Sequence, residues 1–346
     1  PTPASGCSNS ASTRVPPMSF VEAIARKRDA GVLTRDQVAT FVRGASDGSL
    51  PPEQLAAMLM AICCHGMDAD ETRWLTEEML NSGEVWNLAG DRSEAVDKHS
   101  TGGVGDTVSL VLAPMLAAAG VPVAMMAGRG LGHSQGTLDK LDALPGWDST
   151  RSRLEALKLI DDCGAAIIAQ TDDVAPADRT LYALRDVTAT VPSLPLIVGS
   201  IMSKKLALGA GALILDVKWG TGAFRKTVAS ARELAVALRQ VAVDTGVPCE
   251  ALITDMNEPL GPALGTACEM REALAVLSGG GDGRLREVTV QLGRGAMILR
   301  GWDAEDATAA LERTLTDGSA LAAWEKIAVA HGADPDPELL ARPRST

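Results

Sequence analysis
From Met18 to about Asn81 apolar residues recur at three- and four-residue spacing in four blocks, SFVEAIARKRDAG, LTRDQVATFVRGASDG, PPEQLAAMLMAICCHG and DADETRWLTEEMLNSG. With acidic, Ser/Thr or Pro starts and glycine stops, the blocks read as successive amphipathic helices. After Trp86 the period changes. Short apolar runs such as VPVAMM, AAIIAQ and ALILDVK alternate with helical stretches, the pattern of βαβ units in a largely parallel sheet. One stretch breaks the alternation: PADRTLYALRDVTATVPSLPLIVGSIMSKKLALGAG holds two helical patterns with no strand between them, so it is expected to return to the helical lobe. The expected architecture is α/β with a separate all-helical lobe. A discontinuous helical domain, 18–80 plus 177–207, is hinged to a mainly parallel α/β domain, 94–170 plus 210–335, and the ligand sits in the cleft between them.

Composition narrows what that cleft serves. The 346 residues carry a formal net charge of −12 and only 3% aromatics, which argues against nucleic acid, since neither a phosphate-tracking basic surface nor a ladder of stacking rings is present. An anionic ligand would have to be held by a local site. The six cysteines include the adjacent pair Cys63 and Cys64 but no C-x-x-C and no zinc spacing, so neither a disulfide framework nor a structural metal is expected. PTPASGCSNSASTRVPP at the start is small, polar and proline-rich and reads as a flexible tail rather than a signal peptide. No run approaches the roughly 20 apolar residues that span a bilayer, and a cytoplasmic protein without a membrane partner is expected.

The strongest local signal is AVDKHSTGGVGDTVSLVLAPML. A strand should end in Lys98, His99 and Ser100, glycines follow, and a helix is expected to begin near Val104. Glycines let backbone N–H groups close on an anion, a helix N-terminus adds partial positive charge, and lysine and hydroxyls complete a phosphate cradle. The spacing is neither a Walker A motif nor a dinucleotide fingerprint, so no organic cofactor is expected. A plain strand-to-helix turn with solvated Lys and Ser is the competing reading. AGRGLGHSQGTLDKLDALPGW repeats the glycine-rich theme one strand later and starts a helix at Thr137; a tight turn before a capped helix explains it equally well. His99 lies inside the first turn, whereas His65 and His331 read as surface or packing residues.

DKHSTGGVGD, AGRGLGH, GTLDKL, QTDDVAPADRTLYALRDVTATV, DVKWGTGAF and TDMNEPLG, in this order, resemble the pyrimidine-nucleoside phosphorylase family, and the likeness runs from about Met18 to Gly279. It implies a helical domain hinged to an α/β domain, and a reaction in which inorganic phosphate attacks C1′ of a pyrimidine nucleoside to give free base and an α-pentose 1-phosphate. By this resemblance Lys98, Ser100, Ser109 and Thr137 hold phosphate, and His99, Arg185, Ser200 and Lys204 hold the pyrimidine. His99, Lys98, Arg185 and Lys204 carry the catalysis. Leu131, Val191, Ile197 and Phe224 line the base. Without the resemblance, Arg185 and Lys204 would read as solvated helix charges. Ser200 and Lys204 are four apart and share a helix face.

The family also implies a homodimer through the helical domain, and a monovalent cation, potassium, at Gly105, Thr107, Leu260, Ala263 and Glu272; a plain helix-surface carboxylate is the other reading of Glu272. The chain departs from the family pattern at Ala127, where a phosphate-binding serine is usual, and at His133-Ser134-Gln135-Gly136, where HTGG is usual. Family members also run on into a further C-terminal subdomain, so a shorter α/β lobe is expected here. An anthranilate-type phosphoribosyltransferase, which would need magnesium, and a non-catalytic nucleoside binder are the competing functions.

Overall fold
The computed structural model of the protein describes residues 20–130 and 134–335; the tail at 1–17, Leu131 and His133 lie outside the described residues. The first blocks form α1 (Phe20–Arg28), α2 (Arg35–Asp47), α3 (Pro52–His65) and α4 (Ala69–Leu80). Thr34 with Gln37 and Asp68 with Glu71 make reciprocal capping boxes at the starts of α2 and α4, satisfying backbone N–H groups that a helix start leaves free. The apolar stripes meet in one core that includes Phe41, Leu59, Ile62 and Leu75. Buried within this lobe, Glu71 accepts from Lys27 at 2.8 Å and from the Leu33 backbone N–H at 2.7 Å. That multiple satisfaction is what a buried ion pair needs to hold α1 against α4.

The α/β part runs β1 (Val96–Ser100), α5 (Val108–Ala118), β2 (Val123–Ala127), α6 (Thr137–Leu141), α7 (Arg153–Cys163) and β3 (Ala165–Ala169). Two helices follow, α8 (Pro176–Val187) and α9 (Leu194–Leu208), then β4 (Ala212–Trp219), α10 (Val228–Asp244) and β5 (Cys249–Asp255). Four helices close the described chain: α11 (Thr266–Leu277), α12 (Gly283–Ile298), α13 (Ala304–Thr316) and α14 (Ser319–Ala330). The strands lie in the order β3-β2-β1-β4-β5, all parallel, with Val96 opposite both Val123 and Ala212. Chain order therefore reverses between β1 and β4. In open parallel sheets, ligands bind beyond the strand C-termini at that switch point.

α5 carries no charged residue and is buried from Val108 to Leu116, so it lies beneath the sheet rather than on the surface. It packs with α11 to α14 against the face presented by Val96, Val123, Ile167 and Ile214. The other face is covered by α7 and α10. α9 is shared: Leu196 joins the core of α1 to α4, while Val198, Met202 and Leu206 pack on Leu213, Leu215 and Val217 of β4.

The helix after β1 starts at Val108 and not near Val104. Gly105 adopts φ of 79°, and a Cβ there would stand 2.7 Å from the Pro259 side chain; Asp106 then accepts from the Val108 N–H at 3.2 Å. The loop needs those residues to turn, so an apolar residue directly after glycines was a misleading start signal. Among the described residues no helix is long and apolar enough to cross a membrane.

Candidate active site
β1 ends at the switch point with its side chains alternating between the two faces. Lys98 and Ser100 point toward the start of α5; Asp97 points the other way, to α9. The Lys98 ammonium donates to Ser109 Oγ at 3.2 Å and stands 3.4 Å from the Asp216 carboxylate. Ser100 Oγ donates to Asp106 Oδ2 at 2.5 Å and accepts from the Gly102 N–H at 3.1 Å.

Beneath these groups lies a buried set of charges that inspection of motifs did not reveal. Lys218 stands 2.9 Å from Asp216 and 3.8 Å from Asp106, and Asp216 also accepts from Thr254 Oγ1 at 2.5 Å. Lys140 pairs with Glu269 at 2.9 Å and donates to the Asp106 carbonyl. Burial alone would raise the Asp106 carboxyl, but the ammoniums of Lys218, Lys98 and Lys140 and the Ser100 hydroxyl outweigh it and hold it well below the usual carboxylate range. Lys218 is displaced oppositely: burial favours its neutral form, and Asp106 and Asp216 overcome that. The platform holds the turn above it through the Lys140 bond to the Asp106 carbonyl and the Ser100 bond to the Asp106 carboxylate. The spacing of each member was unremarkable alone; only the sheet register, with Ser100 opposite Asp216, brings them together.

Asp139 Oδ2 accepts from the backbone N–H of Gly130 at 2.6 Å and of Gly136 at 2.8 Å, a tight turn locked onto the start of α6. A Cβ on Gly136 would lie 2.4 Å from the carbonyl oxygen of Gly128, so two backbone strands approach there as no other residue allows. Thr137 begins α6 and lines the same cavity as Lys98, Ser100 and Ser109. Ala127 ends β2 on the wall of that cavity.

The opposite wall comes from α8 and α9. Lys204 donates to Ser200 Oγ at 3.2 Å and to Asp178 Oδ2 at 2.5 Å. Arg185 is buried and donates to the carbonyls of Leu196 at 3.0 Å and Val191 at 2.8 Å, its guanidinium 5.3 Å from the ring centre of Tyr182. Two of its N–H groups are thus committed to the backbone that shapes the wall. Val191, Ile197 and Phe224 line the cleft too, and Phe224 is the most open of them, at 38% exposure. Leu131 lies outside the described residues.

His99 sits between the two walls. Burial, then the charges of Lys205, Lys204 and Lys98, hold its imidazole well below the ordinary histidine range, with Asp106 opposing only in part. It is therefore neutral near pH 7, able to donate one N–H and to accept at the other nitrogen. Next to Lys204, Lys205 is clamped by Asp97 at 3.0 Å and by the Met126 carbonyl at 2.6 Å. Burial raises the Asp97 carboxyl to about 6 against the pull of Lys205, and burial lowers Lys205.

None of the residues expected for potassium lines this cavity: Gly105 and Thr107 lie in the loop before α5, Leu260 and Ala263 in the loop before α11, and Glu272 on α11. Gly105 abuts Pro259 and Leu264, and Glu272 is packed against Gly261. Among the described residues no three His, Cys, Asp or Glu side chains are placed to hold a metal, so any cation there must take backbone and hydroxyl oxygens beside one carboxylate. His65 is exposed, and His331 is a buried packing residue stacked 4.2 Å from Trp147.

The cavity enclosed by these walls measures about 780 Å³, within the usual range for a small-molecule site. Residues 92–321 match the family model described as glycosyl transferase family, a/b domain, and 21–83 match that of its helical bundle domain. The pyrimidine-nucleoside phosphorylase of Geobacillus stearothermophilus is 44% identical over 319 residues, covering 92% of this chain and 74% of that protein. That of Bacillus subtilis is 45% identical over 319 residues, with the same coverage of each chain. Among solved structures, anthranilate phosphoribosyltransferase from Thermus thermophilus aligns with a TM-score of 0.70 at 18% identity, over 90% of this chain and 99% of that one, a likeness of fold. With its helical bundle, its parallel sheet and relatives this similar along most of its length, the chain belongs to the pyrimidine-nucleoside phosphorylase family.

Proposed function
We propose that this chain catalyses the reversible phosphorolysis of pyrimidine nucleosides, with thymidine, uridine and deoxyuridine as candidate substrates, yielding free base and α-D-ribose or α-D-deoxyribose 1-phosphate. One observation carries the reading: a lysine-and-hydroxyl anion turn and a Ser200–Lys204 donor pair face each other across a single cavity at the sheet's switch point.

Phosphate rests on Lys98, Ser100, Ser109 and Thr137, and the pyrimidine on Ser200, Lys204, Arg185 and His99 against Val191, Ile197 and Phe224. Phosphate attacks C1′ from the face opposite the base, so configuration inverts. Positive charge grows on the sugar and negative charge on the departing pyrimidine, so catalysis consists of positioning and electrostatics rather than a protein nucleophile. Lys98 orients the anion. Lys204 and Arg185 meet the carbonyls as charge develops on them, and neutral His99 donates its single N–H to the leaving base. Closure of the lobes brings the substrates into line and excludes water. Gly105, Thr107, Leu260, Ala263 and Glu272 would hold a potassium ion, whose charge would be met by their oxygens next to the turn after β1. A cytoplasmic homodimer joined through the helical lobe belongs to the same reading, supported by the exposed Val21 and Met60 of that lobe.

The anthranilate-type alternative has the fold in its favour and nothing more specific. A binder without turnover is suggested only by Ala127. Incubating the protein with a panel of pyrimidine nucleosides, with and without phosphate, separates all three: phosphorolysis releases uracil or thymine only when phosphate is present.

A further inference from the structure
On α8, Asp178, Tyr182 and Arg185 stand at spacings of four and three and form one stripe along the helix, and all three line the cleft. Asp178 and Arg185 are buried, at 3% and 2% exposure. Asp178 lies in the first turn of α8, where a carboxylate would ordinarily serve the free N–H groups of its own helix. Its side chain makes no such bond. It reaches across to α9 and accepts from Lys204 Nζ at 2.5 Å through Oδ2, while Oδ1 is buried without a hydrogen-bond partner. A buried carboxylate satisfied on one oxygen is expensive to keep, and here the one partner it has is the ammonium that also meets Ser200.

The same carboxylate acts on the second cation of that wall. Burial pulls the Arg185 guanidinium toward its neutral form, and the charge of Asp178 is the largest influence opposing this. Without Asp178, Lys204 and Arg185 would lose the carboxylate between them, since Asp97 is engaged by Lys205 and Asp172, which also lines the cleft, is paired with Arg179. A flexible lysine among like charges would swing toward solvent, and 24% of the Lys204 side chain is already exposed.

We propose that Asp178 is the positioning residue of the base site: it fixes the Lys204 ammonium beside Ser200 and balances Arg185, so that the two cations present a set pair of donors to the pyrimidine carbonyls. The inference rests on the phosphorolysis reading. It assigns Asp178 no contact with the reacting atoms and no role in holding phosphate, whose ligands lie on the opposite wall.

The test is a double-mutant cycle with Asp178→Asn, Lys204→Met and the double variant, read by nucleoside kcat/KM, by phosphate KM, and by calorimetric binding of uracil. Asp178→Asn should lower nucleoside kcat/KM by roughly a hundredfold, with phosphate KM kept within about threefold. In the Lys204→Met background the same change should cost about tenfold at most, because its route through Lys204 is gone and only its balance of Arg185 remains. Penalties that add, a parallel rise in phosphate KM, or an Asp178→Asn enzyme within about threefold of wild type would each overturn the proposal. Should Asp178→Asn not fold, Asp178→Glu keeps the charge and displaces it by a methylene; kcat/KM about tenfold lower with unchanged phosphate KM supports the assignment, and unchanged kcat/KM overturns it. Wild-type protein that binds uracil but releases no base with phosphate would sink the phosphorolysis reading alone, and the cycle would then be decided on uracil binding. Wild type that neither binds nor cleaves would overturn both.

Discussion

The Lys98 ammonium stands 3.4 Å from the Asp216 carboxylate, and both side chains are buried. Asp216 does not depend on it, since Lys218 at 2.9 Å and Thr254 at 2.5 Å remain. Lys98→Met should therefore cost activity much more than stability. The expected rate loss is at least about a hundredfold, the scale of removing one preorganised electrostatic donor, with the melting temperature only a few degrees lower, roughly 1–2 kcal/mol. Steady-state kinetics and a thermal melt of the same variant check this; a fall in stability large enough to explain the lost rate would make Lys98 a structural lysine.

His99 should not titrate in its ordinary range. Its folded value is depressed by burial and by Lys205, Lys204 and Lys98, so the neutral form persists as the pH is lowered through 6.5. Nucleoside kcat/KM should show no inflection near 6.5 that His99→Asn abolishes. NMR of the labelled imidazole gives the direct check. A ring that takes up its proton near 6.5 would make His99 a cationic acid and undo the assignment of a neutral donor.

Ala127 stands where a phosphate-binding serine is usual in the family, at the end of β2 on the cavity wall. A hydrogen bond to a charged group is worth about 1.5–3 kcal/mol, so Ala127→Ser should lower phosphate KM by roughly tenfold to a hundredfold. Nucleoside KM should hardly change, because none of the proposed base contacts on α8 and α9, nor His99 or Phe224, lies on β2. Unchanged or weakened phosphate dependence would mean that the pocket has been rebuilt around alanine, for another anion or acceptor.

The organisation of the fold was legible where the chemistry is local. The four N-terminal helices, the switch to short apolar strands, and the two helices in succession at α8 and α9 all follow from period and punctuation. The candidate anion turn after β1 is legible because Lys98, His99, Ser100 and Gly102 are near neighbours in the chain. Asp178, Lys140, Asp216 and Lys218 were not, because each acquires its meaning from a partner on another element: Asp178 is 26 residues from Lys204, and Lys140 pairs with Glu269 across three intervening strands and four helices. The start of α5 was misplaced because a left-handed glycine and an Asp106 cap are local geometry that Val104 obscured.

His331 supplies a pH dependence of stability that is independent of the active site. Its Nδ1–H donates to the Asp148 carbonyl at 3.0 Å and its Nε2 accepts from the Ile167 N–H at 3.3 Å, so a second proton would oppose that N–H. Burial first, with Arg151 adding to it, lowers the imidazole from 6.5 to about 4. A depressed value means that the unfolded chain binds the proton more readily. The stabilisation is therefore complete above pH 6.5 and is lost as the pH falls from there through about 4, up to about 3 kcal/mol in all. Denaturant melts between those pH values should be flatter for His331→Gln than for wild type; parallel curves would contradict this.

Potassium should raise activity or melting temperature relative to a bulky organic cation such as tetramethylammonium, and Glu272→Gln should remove the difference. Oxygen ligands beside a single carboxylate suit a hard monovalent ion. Identical behaviour in the two salts would leave Glu272 as a carboxylate packed against Gly261 and nothing more.

The central claim is that phosphate, not water or a pyrophosphorylated sugar, accepts the pentose. Phosphorus NMR of a uridine and thymidine incubation with purified protein tests it most directly, because it identifies the sugar product while ultraviolet absorbance follows the base. The account predicts that the inorganic phosphate signal declines as an α-pentose 1-phosphate signal grows in equal amount with free base, and that neither change occurs without phosphate. Base released at the same rate without phosphate, or no sugar phosphate from any pyrimidine nucleoside, would contradict it.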